Sequence, residues 1–374
     1  MKPFGYPFGI EEEFFLSCAD SRILANDAAR DLLHEARRTL GDAVACEMLE
    51  SQIEIVSPIF HHVAEASLVM RQLRRALAEL AEQRGSRLIA AGTHPLGVWH
   101  EQRVTNRVRY EQLVGDFGII GHRSLVCGLH VHVAVPEEVD RIDVMNRAIR
   151  WLPLFLALST SSPFWNGRQT GLLSYRQALY DEWPRSGLPD FFEDEPDYQA
   201  FIQRMVSAGA IRDPTQLWWA IRPAANFPTL ELRVSDACTR VEDSIAIASL
   251  FRCLIAALVK DRELGAQRTT HTRRIVDENR WLAKRDGIHA QFIAQASSDA
   301  VPVSAVLRDL LVLLSEEAAE LDCEPQLQAL LRIVDEGTSA HEQLRIYEVE
   351  RETGSTRAAA LAEVVGWLEC ETLA

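Results

Sequence analysis

Polar and apolar residues alternate along four short segments of the chain with the period of two that β-strands with one apolar face produce. These segments are residues 8–17, 49–57, 128–135 and 229–236. In the first, FGIEEEFFLS, Glu11 and Glu13 fall on one predicted face, whereas Glu12 falls on the other among phenylalanine, isoleucine and leucine. The pattern therefore predicts that Glu11 and Glu13 point to the same side of a sheet.

The other three segments divide their faces in the same way. Their polar face carries Glu50, Gln52, Glu54, His130, His132, Glu231, Arg233 and Ser235. A solvated sheet face is the simpler alternative for any single strand, and the absence of lysine here is partly compositional, since the chain has only Lys2, Lys260 and Lys284. One sheet with an apolar, helix-covered face and a charged face accounts for all four segments.

Helical periodicity covers most of the remaining chain. It predicts helices over residues 26–40, 63–84, 138–160, 241–264, 303–322, 326–336 and 357–370. From Ser161 to Asp197 the chain is rich in proline and glycine, which predicts a binding loop or lid. We predict an α+β fold with a mainly antiparallel sheet, in a single domain of residues 1–374 that is helical in period from about residue 240.

Composition excludes several classes of protein. A net charge of -15 and a pI of about 5.3 argue against binding to a nucleic-acid backbone. The seven cysteines are scattered singly without a C-x-x-C pair, which is not typical of a disulfide framework or a zinc ribbon. The start of the chain has no apolar signal region, and the apolar stretch 244–259 is short and interrupted by Arg252. We predict a cytoplasmic protein with no membrane or nucleic-acid partner.

Converging carboxylates on one sheet face need a reason to coexist. Two unit charges about 4 Å apart cost on the order of 4 kcal/mol at an effective dielectric constant of about 20. A divalent cation would remove that cost, and oxygen ligands with an imidazole favour Mg²⁺ or Mn²⁺.

Several such ions on a sheet indicate phosphoryl transfer from ATP, because metal ions neutralise the charge that develops on phosphate oxygens. The chain has no G-x-x-x-x-G-K-[ST] and no G-x-G-x-x-G motif, which excludes a P-loop or a Rossmann cradle. Metal ions and arginines would have to hold the nucleotide instead.

A series of short motifs, in this order along the chain, resembles the bacterial carboxylate–amine ligases of the glutamate-cysteine ligase type 2 family. The motifs are GIEEEF, GTHP, RY, GLHVHV, LSTSSPFW, TGLLSYR and RPAANFPTLELRVSD. The similarity extends from about residue 5 to residue 370. It implies a fold related to the catalytic domains of glutamine synthetase and guanido kinases, in which a curved antiparallel sheet forms a funnel lined by metal-binding glutamates.

The resemblance also implies which residues bind metal: Glu11, Glu13, Glu47, Glu54, His130 and Glu231. Glu47 has the wrong parity to share a strand face with Glu54, so it would have to reach the site from a turn. Glu50 competes with Glu47 for this position.

Arginines supply the implied positive charge. Arg233 matches the cation that steadies the phosphoryl group during transfer, and Arg176 is a second catalytic candidate. Arg222 and Arg109 are candidates for binding phosphate or a substrate carboxylate, because a guanidinium offers two parallel donors. Glu12 is interpreted as structural and replaceable by leucine.

The implied activity is ATP-dependent amide formation through an acyl phosphate, with ADP as a product and Mg²⁺ or Mn²⁺ as the metal. The expected substrates are small molecules: glutamate or a similar carboxylate, and cysteine or another amine. The resemblance implies weak glutamate-cysteine ligase activity, which gives γ-glutamylcysteine. The resemblance is also compatible with a homodimer. The alternatives are a guanidino or amino-acid kinase on the same fold and a non-catalytic nucleotide or metal sensor.

Overall fold

The computed structural model describes residues 4–295 and 299–374 of the chain. The strands are β1 (Phe8–Cys18), β2 (Val44–Cys46), β3 (Gln52–Val56), β4 (Ser86–Ile89), β5 (Gly128–Ala134), β6 (Phe164–Trp165), β7 (Arg168–Gln169), β8 (Ser186–Gly187), β9 (Trp218–Trp219), β10 (Ile221–Pro223), β11 (Thr229–Asp236), β12 (Gln291–Ile293) and β13 (Ala300–Pro302). The α-helices are α1 (Ala28–Leu40), α2 (Val63–Glu82), α3 (Val108–Phe117), α4 (Ile119–His122), α5 (Arg141–Ala148), α6 (Leu152–Ser159), α7 (Tyr175–Tyr180), α8 (Glu195–Ser207), α9 (Val241–Lys260), α10 (Thr272–Asp286), α11 (Val303–Leu313), α12 (Ser315–Glu320), α13 (Glu324–Glu336), α14 (Ser339–Glu352) and α15 (Arg357–Glu371).

A seven-stranded sheet organises the molecule, with strand order β10-β11-β5-β1-β3-β2 and β4 paired to the far end of β1. Every pairing in this sheet is antiparallel. The predicted α+β class with a mainly antiparallel sheet is therefore confirmed. Strand β1 is central, and its neighbours β3 and β5 carry two of the other predicted polar faces.

One face of the sheet is apolar and covered by helices. On β1 this face consists of Phe8, Ile10, Phe14 and Leu16, all fully buried. Helices α2 and α9 pack here, since an arginine of each lies over a phenylalanine ring of β1. The period of two thus separates a buried core from a polar face.

Glu12 is the one charged residue of β1 on the apolar face, and it forms a buried ion pair with Arg74 of α2. Arg74 Nε and Nη2 donate to the two carboxylate oxygens at 2.8 and 2.6 Å. The remaining Arg74 donors reach the carbonyl oxygens of Thr239, Cys238 and Thr372. Glu12 therefore has a structural role, as predicted. It acts through this ion pair, which links the sheet to the end of the chain.

The strand predicted over residues 49–57 is shorter than expected. Strand β3 begins only at Gln52, and residues 50 and 51 form a turn. Glu50 therefore does not continue the polar face, contrary to the sequence pattern.

Ser235 is also on a different face from the one predicted. The register of β11 against β5 shifts between Leu232 and Ser235, which then lies opposite Leu129. This bulge places Asp236, instead of Ser235, opposite Gly128.

The predicted helices are present, with boundaries that shift by a few residues or with a break. The segment 161–197 is irregular, as expected, but contains α7 and short strands. The prediction that everything beyond residue 240 is helical is wrong at the β12–β13 hairpin. Within the described ranges, no helix is both long enough and apolar enough to cross a bilayer.

Candidate active site

The polar face of the sheet forms the floor of a cavity of about 380 Å³. Its lining includes these residues predicted from the sequence: Glu11, Glu13, Glu47, Glu54, Arg109, His130, Arg176, Arg222 and Arg233. Glu231 lies beside this lining and is ion-paired to both Arg222 and Arg233. The structure thus brings all the predicted site residues together.

Three sets of side chains have ligand atoms close enough to share one cation, within 4.8 Å of one another. The sets are Glu11–Glu54–His130, Glu11–His132–Glu231 and Glu13–Glu47–Glu54. The strand register creates them, because Glu13 lies opposite Glu54, Glu11 opposite His130, and Glu231 opposite His132. Two of the sets are oxygen-rich with one imidazole and the third is all carboxylate, which fits a hard divalent cation such as Mg²⁺ or Mn²⁺.

The position of Glu47 decides the choice between Glu47 and Glu50. Glu47 follows the last residue of β2 and reaches the site from there, beside Glu13 and Glu54. Glu50 points away from the cavity and pairs with Arg30. The all-carboxylate set Glu13–Glu47–Glu54 therefore contains Glu47, and Glu50 lies outside the site.

His132 joins one of these sets although the sequence analysis did not select it as a ligand. Its position two residues after His130 on the same strand face was an available signal. The buried Nε2 atom of His130 has no hydrogen-bond partner among the described residues, which leaves it available to a ligand.

Burial raises the pKa of Glu47 to about 8, and the negative charge of Glu13 adds to the effect. Burial, together with the charge of Glu47 and its neighbours, raises the pKa of Glu54 well above the usual range. Protons therefore neutralise part of this cluster in the metal-free protein, and a cation that binds there would displace them.

The pKa of Glu11, unlike those of Glu47 and Glu54, is lowered. Burial opposes its ionisation, but hydrogen bonds to His130 and His132, each at 3.4 Å, outweigh burial and lower its pKa. Burial and the nearby Arg233 charge lower the pKa of His130, which favours the neutral imidazole that binds metals. Burial also opposes protonation of His132, but Glu11 and Glu231 raise its pKa overall.

Replacing Glu47 by glutamine is expected to stabilise the metal-free protein at alkaline pH. The pKa of Glu47 is about 8 in the folded state, against an ordinary value of 4.5, so the folded protein binds the extra proton between these values. The stability of the folded protein that depends on protonated Glu47 is fully present below about pH 4.5 and is lost as the pH rises through about 8. The melting temperature of E47Q in EDTA should therefore exceed that of the wild type at about pH 8 and approach it at about pH 5.

The exposed Glu82→Gln serves as the control for this comparison, since its side chain lies at the surface. The same pH profile for E47Q and wild type would contradict the raised pKa assigned to Glu47.

Arginines crowd the end of the cavity next to Glu231. Arg222 donates to both oxygens of Glu231, at 2.7 and 3.2 Å, and Arg233 pairs with the same carboxylate. Arg233 Nη2 also donates to the hydroxyl of Tyr180 at 2.8 Å. Burial works against ionisation of Glu231, but the charges of Arg233 and Arg222 hold its pKa well below the usual range. This end carries the positive charge suited to phosphate oxygens.

The guanidinium of Arg176 is buried and weakly bonded. It lies 5.2 Å from the ring centre of Tyr180, and among the described residues it makes only long bonds, at 3.4 and 3.5 Å, to the carbonyl oxygen of Arg233. The missing side chain of Gly128 makes room for this guanidinium, because a Cβ there would stand 2.1 Å from Arg176 Nη2. The amide of Gly128 also donates to Glu13 at 2.6 Å. Arg176 thus retains donors for an anionic group.

Asp236 fixes the helix that carries Arg176. Its carboxylate accepts hydrogen bonds from the Ser161 amide at 3.1 Å and from the hydroxyls of Ser162 and Ser174 at 2.7 and 2.8 Å. The bulge in β11 places Asp236 for this role, so the loop-rich segment is anchored as a wall of the site. Tyr180 was missed by the sequence analysis, although it lies one helical turn after Arg176.

Comparison with known proteins identifies relatives along nearly the whole chain. The sequence model of glutamate-cysteine ligase family 2 (GCS2) matches residues 7–361. A protein of Ectopseudomonas mendocina named "Putative glutamate--cysteine ligase 2" is 42% identical over 365 residues, covering 98% of this chain and 96% of the relative. A protein of Rhodospirillum rubrum with the same name is 39% identical over 378 residues, covering 100% of this chain and 97% of the relative.

Solved structures share the fold at low identity. The glutamate–cysteine ligase of Francisella tularensis, in complex with AMP, matches with a TM-score of 0.69 and 10% identity, over 98% of this chain and 89% of that one. A bifunctional glutathione synthetase from Pasteurella multocida matches with a TM-score of 0.66 and 16% identity, over 98% of this chain. The match covers 52% of the Pasteurella chain, so this chain spans about half its length.

Proposed function

Because the chain belongs to glutamate-cysteine ligase family 2, we propose that it is an ATP-dependent carboxylate–amine ligase that forms an amide and releases ADP and phosphate. The observation that supports this best is a single cavity in which carboxylates and imidazoles lie beside arginines. Such a site can hold a triphosphate and a second substrate without a P-loop.

The reaction we propose has two steps. An oxygen of the substrate carboxylate attacks the γ-phosphorus of ATP, the bond to the β-phosphate oxygen breaks, and an acyl phosphate and ADP result. The nitrogen of the unprotonated amine then attacks the acyl carbon, the bond from that carbon to the phosphate oxygen breaks, and phosphate leaves with the proton that the nitrogen loses. We take the carboxylate to be the γ-carboxyl of glutamate and the amine to be that of cysteine or another compound, so that one product is γ-glutamylcysteine.

Arg233 and Arg222 would bind the phosphate oxygens at the arginine-rich end, and Arg176 and Arg109 would bind phosphate or a substrate carboxylate. When bound, Mg²⁺ or Mn²⁺ would neutralise charge on the phosphate oxygens. The residues that would hold it are Glu11, Glu13, Glu47, Glu54, His130, His132 and Glu231. No covalent nucleophile is needed, because positioning and charge stabilisation account for the catalysis.

The products of ATP cleavage test this proposal. With ATP, Mg²⁺ or Mn²⁺, glutamate and an amine, we expect ADP and phosphate to form in step with the amide, measured by chromatography. Stoichiometric AMP and pyrophosphate would contradict the acyl-phosphate route.

Omitting each substrate separates the alternatives. ADP that forms at the full rate without any amine would indicate a kinase, and nucleotide binding without turnover would indicate a sensor. Glu13→Gln is the control variant, since it removes one charge from the proposed metal site and should abolish ADP formation. The cytoplasmic location and the homodimer stay predictions of the sequence.

A further inference from the structure

We infer that the aromatic wall of the cavity, formed by Met48, Tyr110, Leu113, Trp183 and Trp218, binds the acceptor amine and selects a primary amine with an apolar, planar substituent over cysteine. This inference rests on the proposed function and names the substrate class of the same site. All five residues line the cavity, and none of them was selected by the sequence analysis.

Phe117 packs against both tryptophans of the wall, Arg185 packs against Trp218, and these contacts hold the two indole rings in place. Their ring centres are 5.0 Å apart, and the ring of Phe117 packs against both, at 5.1 Å from Trp183 and 5.6 Å from Trp218. Arg185 lies over Phe117 and Trp218. These contacts prearrange an apolar wall whose two indole rings meet at an angle of 68°, so a planar aromatic substituent would pack against a ring without ordering the wall first.

The wall adjoins the acidic end of the cavity. Met48 follows Glu47 and donates its amide to that carboxylate at 3.2 Å, and the hydroxyl of Tyr110 donates to the carbonyl oxygen of Cys46 at 2.8 Å. Among the described residues, no arginine or lysine lies within 4.0 Å of the carboxylates of Glu47, Glu13 or Glu54.

The distribution of charge decides which substrate the wall receives. The carboxyl oxygens of Glu13, Glu47 and Glu54 are hydrogen-bond acceptors beside the wall, so an amine that donates N–H is favoured there, whereas phosphates are favoured next to Arg222 and Arg233. Cysteine offers only a small side chain to the wall, so most of the apolar surface would stay wet. Adenine is the other planar group in the reaction, and the experiment must separate it from the amine.

Steady-state kinetics with phenethylamine, cysteine and methylamine test the inference at saturating ATP and glutamate. The wild type should prefer phenethylamine, with a kcat/KM about tenfold or more above that of the other two. Trp183→Ala should raise the KM for phenethylamine about tenfold. The KM values for methylamine and ATP should change by less than about twofold.

Two further variants guard against a simple folding defect. Trp218→Ala removes the half-buried ring of the pair and should show the same pattern. Trp281→Ala, at a ring that is 41% exposed outside the cavity lining, should leave all three KM values unchanged.

A rise in the KM for ATP alone in Trp183→Ala and Trp218→Ala would assign the wall to adenine and overturn the inference, while the proposed function would stand. Equal kcat/KM values for the three amines would also overturn it.

If no amine supports ADP formation, the proposed function fails, and calorimetric titration of phenethylamine still decides whether the aromatic wall binds an amine. Binding to the wild type that weakens about tenfold in Trp183→Ala is expected, and equal or absent binding in both would overturn the inference.

Discussion

Arg233→Lys is expected to form ADP at about one hundredth of the wild-type rate or less, although the charge is kept. Arg233 uses separate nitrogens to contact Glu231 and Tyr180. Lysine has one compact ammonium on a flexible stem and cannot keep both contacts and also face a phosphate group. Loss of one preorganised contact to the transition state costs about 3 kcal/mol, which corresponds to the expected loss of rate. Initial rates of ADP formation at saturating substrates measure it.

Tyr180→Phe separates the positioning of Arg233 from its charge. It removes only the hydroxyl that accepts from Arg233 Nη2 at 2.8 Å, so we expect a smaller loss of about tenfold. Arg212→Lys is the control, because Arg212 is exposed and pairs with Asp116 away from the cavity. Full activity of Arg233→Lys would remove Arg233 from the catalytic residues.

Glu12→Leu is expected to destabilise the protein by about 3–5 kcal/mol, which is the cost of leaving one partner of a buried ion pair uncompensated. The sequence pattern alone suggested that leucine would be tolerated, since its neighbours on that face are apolar. The structure corrects this, because Arg74 is only 1% exposed and would lose both bonds to the carboxylate. Urea unfolding of the metal-free proteins measures the difference.

Replacing both partners should recover only part of this loss, because Arg74 also donates to the carbonyl oxygens of Thr239, Cys238 and Thr372, which lose these bonds in the double variant. In Glu12→Leu/Arg74→Met no buried charge is left, and a well-packed apolar pair is often as stable as the ion pair it replaces. The control is Glu82→Gln, which breaks a surface pair with Arg87 and should cost less than about 1 kcal/mol. A wild-type free energy of unfolding for Glu12→Leu would contradict the importance of the buried pair.

The sequence by itself determined the division of the sheet into an apolar and a polar face, and with it the largest part of the site. Side chains alternate along any extended strand, so Glu11 and Glu13 had to share a face wherever β1 was placed. The same local rule applies to His130 on β5. The motifs then indicated the family before the structure was known.

Tertiary structure alone decided whatever depended on the ends of strands or on contacts between distant segments. Sequence alone left Glu47 and Glu50 in competition, and Glu47 lies in the site whereas β3 begins only at Gln52 and leaves Glu50 outside it. Asp236 replaces Ser235 on the polar face because β11 bulges, and periodicity in a single sequence carries no record of a register shift.

The two largest surprises, the Glu12–Arg74 pair and the aromatic wall, join residues that lie far apart along the chain. Arg74 is 62 residues from its partner, and the wall combines α3 with residues from three other regions of the chain. A local pattern shows which face a side chain takes, but folding decides which partner it meets, because that depends on how helices and loops pack over the sheet.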